Sequence, residues 1–267
     1  IKYGYIEGDD FYVIKIASGF FKNMDIGISN GQGMMLLFRQ KTGECEAILL
    51  DNAYLTDVRT AIAGAICAKE FSNEIESIGV VGTGLQARMQ VLYLKSITPC
   101  RQVVVCGRNE DKMKSYKRDM DEKGFNVVCN SDINFLSDNC NLIITATAGT
   151  EPLIDAKHIR PGTHITAVGS DTPVKQELST KLLEKADLII ADSISQCMVR
   201  GEISHGIRSG LIKKENLAEL GDILNKKVHG RLNPNQITIA DLTGVAVQDI
   251  QIAKAVYQSH KEIINAV

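Results

Sequence analysis

The residues with the clearest chemical consequence form a glycine-rich turn. Gly82, Gly84 and Ala87 are spaced G-x-G-x-x-A, directly after an apolar segment and directly before an amphipathic one. In that context the first glycine permits a tight turn, the second lets the backbone approach a pyrophosphate, and the alanine keeps helix and strand close. The turn therefore predicts a dinucleotide site at a helix N-terminus. Its predicted cofactor-binding residues are Gly82, Thr83, Gly84, Leu85, Gln86 and Ala87.

The end of the next apolar segment bears on which dinucleotide is bound. A site selective for NAD usually has Asp or Glu there, which holds the ribose 2'-hydroxyl, but this chain has Arg108 followed by Asn109. A guanidinium pairs well with a 2'-phosphate. We therefore predict that both residues contact the cofactor and that NADP(H) is favoured over NAD(H). The alternatives are that Arg108 stacks on the adenine or faces solvent.

Three charged side chains elsewhere are candidates for binding or catalysis. Lys15 shares one face of a β-rich segment with Phe11 and Val13, so its ammonium either reaches solvent or meets an anion. Arg59 is expected in the first turn of an Ala-rich helix, where a cation is unfavourable unless it has a partner. Asp171 follows an apolar segment, at the edge where doubly wound sheets bind ligands. From the residues alone, a solvated lysine, a surface arginine and a turn-forming aspartate stay open as alternatives.

The segments that position these residues alternate between apolar and amphipathic sequence. Seven short runs rich in Val, Ile and Thr are continuously apolar, which is typical of parallel strands covered by helices on both faces. They are residues 77–82, 102–107, 125–129, 141–148, 163–169, 186–192 and 236–241. The predicted fold class is α/β, with a doubly wound parallel Rossmann sheet and a second, smaller β-rich domain.

The two ends of the chain predict the smaller domain. Residues 1–51 contain β-rich segments at 11–18, 33–40 and 44–51, the last two joined by a turn. An Ala-rich helix follows from Tyr54, with Thr56 or Asp57 as its N-cap, and residues 245–264 predict a long helix that returns to the N-terminal region. The predicted domains are 1–63 with 245–267, and 64–244. Because Ile1 already lies in strand-like sequence, we expect residues upstream of it to be missing.

Composition excludes several classes of function. The formal net charge is -2 and no segment is dense in Lys and Arg, so no nucleic-acid partner is expected. The seven cysteines never form a C-x-x-C pair and the histidines lack ligand spacing, which predicts reduced thiols and no metal site. No signal peptide or membrane-spanning run is recognisable, so we expect no membrane partner and a cytoplasmic location.

Five motifs are spread over nearly the whole chain. They are YVIKI at 12–16, LTDVRTA at 55–61, GTGLQA at 82–87, GSDTPVKQE at 169–177 and TIADLTGVAVQD at 238–249. In content and order they resemble the ornithine cyclodeaminase and mu-crystallin family. The resemblance implies a homodimer built through the small β-rich domain, with the active site in the cleft between that domain and the Rossmann domain. One departure is Ala240, where many members carry Phe, so the wall of the nicotinamide pocket is expected to differ.

The resemblance also implies roles for individual residues. Lys15 and Arg59 would hold the substrate carboxylate and position its nitrogen, and Asp171 would be the catalytic acid/base. Lys175 would help to bind the cofactor, although a solvent-facing lysine is an alternative. The other predicted cofactor contacts are Thr145, Thr147, Val168 and Gly169.

Several functions fit this set of residues. The one we favour is an NAD(P)H-dependent ketimine reductase that converts a cyclic imino acid, such as Δ1-pyrroline-2-carboxylate, to L-proline. The main alternative is an ornithine cyclodeaminase that forms L-proline and ammonia with bound NAD. An alanine-type amino-acid dehydrogenase and a noncatalytic NADPH-dependent binding protein are further alternatives.

Overall fold

A computed structural model describes residues 1–265, and the chain divides into two compact units. Unit 1 comprises Ile1–Thr60 with Gly244–Val267, and unit 2 comprises Ala61–Thr243. Within the described residues, no helix is long and apolar enough to cross a membrane.

Unit 1 contains a four-stranded antiparallel sheet with the strand order β1-β2-β3-β4. The strands are β1 (Lys2–Tyr5), β2 (Phe11–Gly19), β3 (Gly31–Arg39) and β4 (Cys45–Leu49). The predicted hairpin between β3 and β4 is confirmed. Its turn contains Gly43 at a φ of 75°, a left-handed conformation that glycine adopts readily.

Two long helices lie wholly or partly in unit 1. They are α1 (Tyr54–Phe71), which begins in unit 1 and ends in unit 2, and the C-terminal helix (Ala246–Asn265). Val13, Met35 and Leu37 of the sheet pack against Ile250 and Ala253 of the C-terminal helix. The predicted return of this helix to the N-terminal strands is therefore confirmed.

Unit 2 contains an eight-stranded sheet in which every pairing is parallel. Its strands are β5 (Ile78–Val81), β6 (Gln102–Cys106), β7 (Asn126–Cys129), β8 (Leu142–Thr145), β9 (His164–Ala167), β10 (Leu188–Ala191), β11 (Leu217–Glu219) and β12 (Thr238–Asp241). The order is β11-β10-β12-β9-β8-β5-β6-β7. The chain therefore reverses direction across the sheet between β5 and β8, which is where such folds bind ligands.

Helices cover both faces of this sheet. They are α2 (Leu85–Tyr93), α3 (Glu110–Asp121), α4 (Ile133–Asn139), α5 (Thr180–Lys185), α6 (Ile194–Cys197), α7 (Gly201–Arg208) and α8 (Leu220–Leu224). The C-terminal helix of unit 1 is α9. Short 3-10 helices lie at Phe21–Ile26, Leu94–Ser96, Ala156–His158 and Lys214–Asn216. Val80 packs towards α2 and α3 while its neighbour Val81 packs towards α4. This alternation confirms the predicted doubly wound α/β sheet. The four-stranded sheet of unit 1 confirms the second, smaller β-rich part.

Two local predictions were wrong, and one strand was not predicted. Helix α1 begins at Tyr54, so Thr56 and Asp57 lie inside it and Arg59 lies beyond its first turn. The Asp51 carboxylate, rather than Thr56 or Asp57, accepts from the Leu55 N–H at 2.8 Å. The three-residue strand β11 was not anticipated.

The expectation for Ala240 was also wrong. Its side chain is fully buried and packs in the core beside Ile190 of β10 and Cys67 and Phe71 of α1. The position therefore faces the interior of unit 2 rather than a ligand pocket.

Candidate functional site

The glycine-rich turn joins β5 to α2 at the carboxyl edge of the unit 2 sheet. Gly82 has a φ of 122°, and a Cβ there would lie 2.6 Å from the Ala146 carbonyl oxygen, so only glycine fits. A Cβ on Gly84 would meet nothing within 4 Å, so space is open beside the backbone at the start of α2. Gly84 is the N-cap of α2 and contributes no side-chain cap. The turn therefore fits a pyrophosphate held by backbone N–H groups.

The residues around this turn are held by an arginine that the sequence did not single out. Arg88 donates to the Thr83 carbonyl oxygen, pairs with Asp119 at 2.7 Å and lies 5.0 Å from the centre of the Tyr116 ring. The Tyr116 hydroxyl in turn donates to the carbonyl oxygen of the fully buried Ala87 at 3.1 Å. These contacts tie the turn to α3. Of the other predicted contacts here, Leu85 is exposed and Gln86 is half-buried beside Gln90.

Arg108 and Asn109 follow β6, the strand next to β5. Arg108 is exposed and lines a shallow depression with Gly107, Lys114 and Ser131. The Asn109 side chain accepts from the Lys112 N–H at 2.9 Å and so caps α3. Arg108 is therefore accessible to a ligand, whereas the amide oxygen of Asn109 has a structural partner.

The segment after β9 carries Asp171 and Lys175, which the structure brings together. Lys175 Nζ lies 2.7 Å from Asp171 Oδ1, and the Asp171 side chain is 51% exposed. The Lys175 carbonyl accepts from the Ser170 hydroxyl at 2.6 Å and contacts His205 Nε2 at 2.8 Å. The backbone is thus anchored while the Asp171 carboxylate is half-exposed to solvent.

The same segment is fixed by the fully buried Glu177. Its carboxylate accepts from the Thr145 hydroxyl at 2.7 Å, the Thr147 N–H at 2.6 Å and the Gly169 N–H at 3.0 Å. Burial raises the pKa of Glu177, and these donors oppose the rise. Glu177 thereby joins the carboxyl ends of β8 and β9. Thr145, Thr147 and Gly169, which were predicted to contact the cofactor, therefore all donate to Glu177. Val168, a fourth predicted contact, is half-buried and directly precedes Gly169.

Two further buried carboxyl groups extend this arrangement. Glu202 accepts from the Glu177 and Leu178 N–H groups at 2.7 and 3.0 Å. Asp241 accepts from the Ile203 N–H at 2.8 Å, at the start of α7. Burial raises the pKa of both carboxyl groups well above the usual range, and for Glu202 the neighbouring Asp241 adds to the rise. They fix α7 against the sheet and the Asp171 segment.

Unit 1 carries the other candidate residues. Lys15 Nζ lies 2.8 Å from Asp249 Oδ1, and Arg59 Nε lies 3.3 Å from the same oxygen. A terminal nitrogen of Arg59 also donates to Gln248 Oε1 at 2.8 Å. Lys15 and Arg59 therefore converge on one carboxylate from α9. The interpretation of Lys15 as a solvated strand residue is wrong, because its side chain is only 5% exposed.

The electrostatics of this cluster favour an anion. Burial, followed by the positive charge of Arg59, lowers the pKa of Lys15, and Asp249 opposes the fall. A carboxylate placed beside Lys15 and Arg59 would relieve their repulsion and gain charge-assisted hydrogen bonds. The arrangement can therefore bind and orient a carboxylic acid.

Lys2 lies beside the same cluster. Strand pairing places it opposite Lys15, and its ammonium donates to the Gly244 carbonyl oxygen. Neither Lys2 nor Asp249 was predicted from the sequence to be a functional residue. Their contacts join segments about 240 residues apart, which no local pattern reveals.

Comparison with known proteins places the chain in a family. Residues 4–263 match the family described as ornithine cyclodeaminase/mu-crystallin. The chain belongs to this family. The resemblance seen in the five sequence motifs is thereby confirmed.

Proteins with several different names are similar in sequence to this chain. A Sinorhizobium fredii protein named uncharacterized cyclodeaminase y4tK is 38% identical, covering 98% of this chain and 80% of the relative. The alanine dehydrogenase of Archaeoglobus fulgidus is 31% identical, covering 89% of this chain and 73% of the relative. A Bacillus cereus Δ1-pyrroline-2-carboxylate reductase is 30% identical, covering 94% and 78% respectively.

Two solved structures of family relatives share the fold. An archaeal alanine dehydrogenase, described as a dimer with bound NAD, has a TM-score of 0.88 at 29% identity and covers 96% of this chain and 82% of that one. The iminosuccinate reductase of Paracoccus denitrificans, described in complex with NAD+, has a TM-score of 0.85 at 27% identity, covering 95% and 79%. Both relatives bind a nicotinamide dinucleotide.

Proposed function

We propose that this protein is an NAD(P)H-dependent ketimine reductase that converts Δ1-pyrroline-2-carboxylate, or a similar cyclic imino acid, to L-proline. The observation that carries the proposal is the buried pair of Lys15 and Arg59 on Asp249, because it suits a substrate carboxylate. The same chain has a turn that fits a dinucleotide. Curated Δ1-pyrroline-2-carboxylate reductases among its relatives support the choice of substrate.

The residues divide the work as follows. When bound, the reduced nicotinamide supplies a hydride to C2 of the imine. Lys15 and Arg59 hold the carboxylate, which fixes the position of C2. Asp171 supplies the proton that keeps the imine nitrogen positively charged, and an iminium accepts hydride better than a neutral imine. One hydride and one proton are consumed, and the products are the amino acid and the oxidised dinucleotide.

For the cofactor we propose a preference for NADP(H), contributed by Arg108. The exposed guanidinium of Arg108 lies just beyond the end of β6, which is the next strand after the turn, and a 2'-phosphate is recognised at that position in this kind of fold. The relatives with bound NAD are a reason to measure both dinucleotides.

The function is tested by incubating the protein with Δ1-pyrroline-2-carboxylate and either NADPH or NADH. We expect loss of the reduced dinucleotide's absorbance and formation of an equal amount of L-proline. No consumption of either dinucleotide would contradict the proposal.

Ornithine cyclodeaminase activity is a second candidate, because the relative that is 38% identical is named a cyclodeaminase. The same residues would serve: Lys15 and Arg59 would hold the ornithine carboxylate and Asp171 would activate its amine. Release of ammonia from L-ornithine, with no net consumption of dinucleotide, is the result that would favour this function.

We further propose that the protein is a homodimer formed through the sheet of unit 1. Strand pairing places Tyr3, Ile14, Leu36 and Ile48 side by side across all four strands. Tyr3 is 77% and Ile48 59% exposed, and Ile14 and Leu36 between them are half-buried, so the described residues leave this apolar row open to a partner. The dimeric alanine dehydrogenase supports a second copy as its partner.

Light scattering tests this assembly. We expect a mass of twice the 29.2 kDa chain for the wild type, and a shift towards the monomer for Ile48→Glu. A folded wild-type monomer would contradict the proposal.

A further inference from the structure

Lys2 and Arg59 both approach Gly244, and all three residues belong to unit 1. A Cβ built on Gly244 would lie 2.6 Å from one terminal nitrogen of Arg59 and 3.2 Å from Lys2 Nζ. In the sheet, Lys2 of β1 lies directly opposite Lys15 of β2. The positive ends of two side chains therefore meet at Gly244, and a third cation stands on the neighbouring strand.

The three cations differ in how far they are buried. The Lys15 side chain is 5% exposed and that of Arg59 is 11% exposed, whereas Lys2 is half-buried. A ligand that approaches the cluster from solvent can thus reach Lys2. The charge of Lys2 acts in a partly desolvated place, where interactions between charges are stronger than in water.

We propose that Lys2 determines which substrates unit 1 accepts, by selecting carboxylic acids that carry no second ammonium group. The assignment rests on the proposed function, in which Lys15 and Arg59 hold the substrate carboxylate. A third cation beside them strengthens the attraction for that carboxylate. It also repels any ammonium that the substrate carries a few bonds away.

This selection separates the two candidate substrates by charge. Proline and its cyclic imine have one nitrogen, next to the carboxylate, whereas ornithine adds a δ-ammonium at neutral pH. Lys2 therefore favours the cyclic compounds. A carboxylate at the same position would attract the δ-ammonium and reverse the preference.

The test measures binding of L-proline and L-ornithine by calorimetry, without cofactor, so that it does not depend on turnover. The proteins are the wild type, Lys2→Arg, Lys2→Met and Lys2→Glu. Lys41→Glu is the matched control, because Lys41 is exposed in the turn after β3 and the change in charge is the same. We expect the wild type, Lys2→Arg and Lys41→Glu to bind proline at least about tenfold more tightly than ornithine.

The neutral and reversed variants decide the outcome. Lys2→Met should bring the affinities for proline and ornithine closer together. Lys2→Glu should bind ornithine more tightly than proline. If the ratio of the affinities for proline and ornithine is the same in Lys2→Met, Lys2→Glu and Lys41→Glu, Lys2 does not select the substrate. If Lys2→Glu fails to fold, as judged by its thermal midpoint, Lys2→Met still decides the question.

The same measurements separate this inference from the proposed function. A protein that binds proline in a Lys2-dependent way but reduces no cyclic imine would refute the reductase and leave the selection by charge in place. A wild type that reduces the imine but shows the same ratio in every variant would refute only Lys2. A wild type that binds neither amino acid would contradict the selection by Lys2, and the reductase would still be decided by the consumption of dinucleotide.

Discussion

Asp171 and Lys15 differ in how far their side chains are exposed to solvent. Asp171 is half-exposed, so water can reach its carboxylate, and it is held by a loop whose backbone is anchored through Glu177 and His205. Lys15 is buried against Asp249 and keeps a fixed position. At the scale of single residues, an accessible carboxylate suits proton transfer and a buried ammonium suits binding.

The role of Asp171 is testable with Asp171→Asn. The amide keeps the size of the side chain but cannot supply a proton, so we expect kcat for imine reduction to fall by about 10²-fold or more. The dissociation constant of the dinucleotide should stay unchanged. Asp138→Asn is the matched control, because Asp138 is also 51% exposed and contacts a basic side chain, His158. Near-normal turnover in Asp171→Asn would remove this residue from the mechanism.

Cofactor choice is testable at Arg108. Arg108→Asp replaces a cation by an anion beside the proposed 2'-phosphate, so the preference for NADPH over NADH should fall by about tenfold or more. Fluorescence titration with both dinucleotides measures the ratio. Arg118→Asp makes the same change in charge at an exposed residue near the end of α3. Equal ratios in the two variants would show that Arg108 does not contact the 2'-phosphate.

At the scale of elements, the turn between β5 and α2 makes a sharper prediction than any single charged residue. A Cβ on Gly84 meets no protein atom, so Gly84→Val should fold, yet its side chain enters the space that a pyrophosphate would occupy. We expect dinucleotide affinity to fall by about a hundredfold. The control is Gly221→Val, whose side chain also enters open space. A thermal midpoint near the wild-type value, together with unchanged NADPH affinity, would exclude this turn as the binding site.

The strands of unit 2 were predictable because burial on both faces leaves a local trace, a run of continuously apolar residues. Strand β11 has three residues and leaves no such trace. The start of α1 was misplaced because Asn52 and Ala53 adopt positive φ, at 50° and 67°, and Asp51 caps the helix from outside it. Turn geometry of this kind is not encoded in apolar periodicity.

The candidate site was predictable only where its signal is local. The glycine-rich turn is contiguous in sequence, and it lies where its spacing predicts. Asp249 and Lys15 are 234 residues apart and Thr145 is 32 residues from Glu177, so the ion pair and the buried carboxylate exist only after folding. Family resemblance pointed to Lys15 and Arg59, but not to the residues that hold them.

At the scale of the whole molecule, a buried histidine couples stability to pH. His164 is fully buried between the Thr238 and Thr166 hydroxyls, at 2.8 and 3.1 Å, and burial, with Arg231 nearby, lowers its pKa from 6.5 to about 3. Below pH 6.5 His164 is protonated in the unfolded chain but stays neutral in the folded chain. The free energy of unfolding should therefore fall by up to about 1.4 kcal/mol per pH unit between pH 6.5 and 3.

Urea unfolding of the wild type and His164→Asn between pH 6.5 and 5 measures this contribution. The variant lacks the titrating group, so its stability should depend less on pH, even if it is lower at pH 7. Parallel losses in the two proteins would show that His164 is not the group responsible.

In the proposed reaction, this protein transfers a hydride from a reduced dinucleotide to C2 of a cyclic imino acid. Single-turnover reaction of Δ1-pyrroline-2-carboxylate with NADPH or NADH deuterated at the transferring position of C4 tests it directly. We predict L-proline with one deuterium at C2 for each dinucleotide oxidised. Proline without deuterium, or dinucleotide that stays reduced in the presence of the imine, would contradict the account.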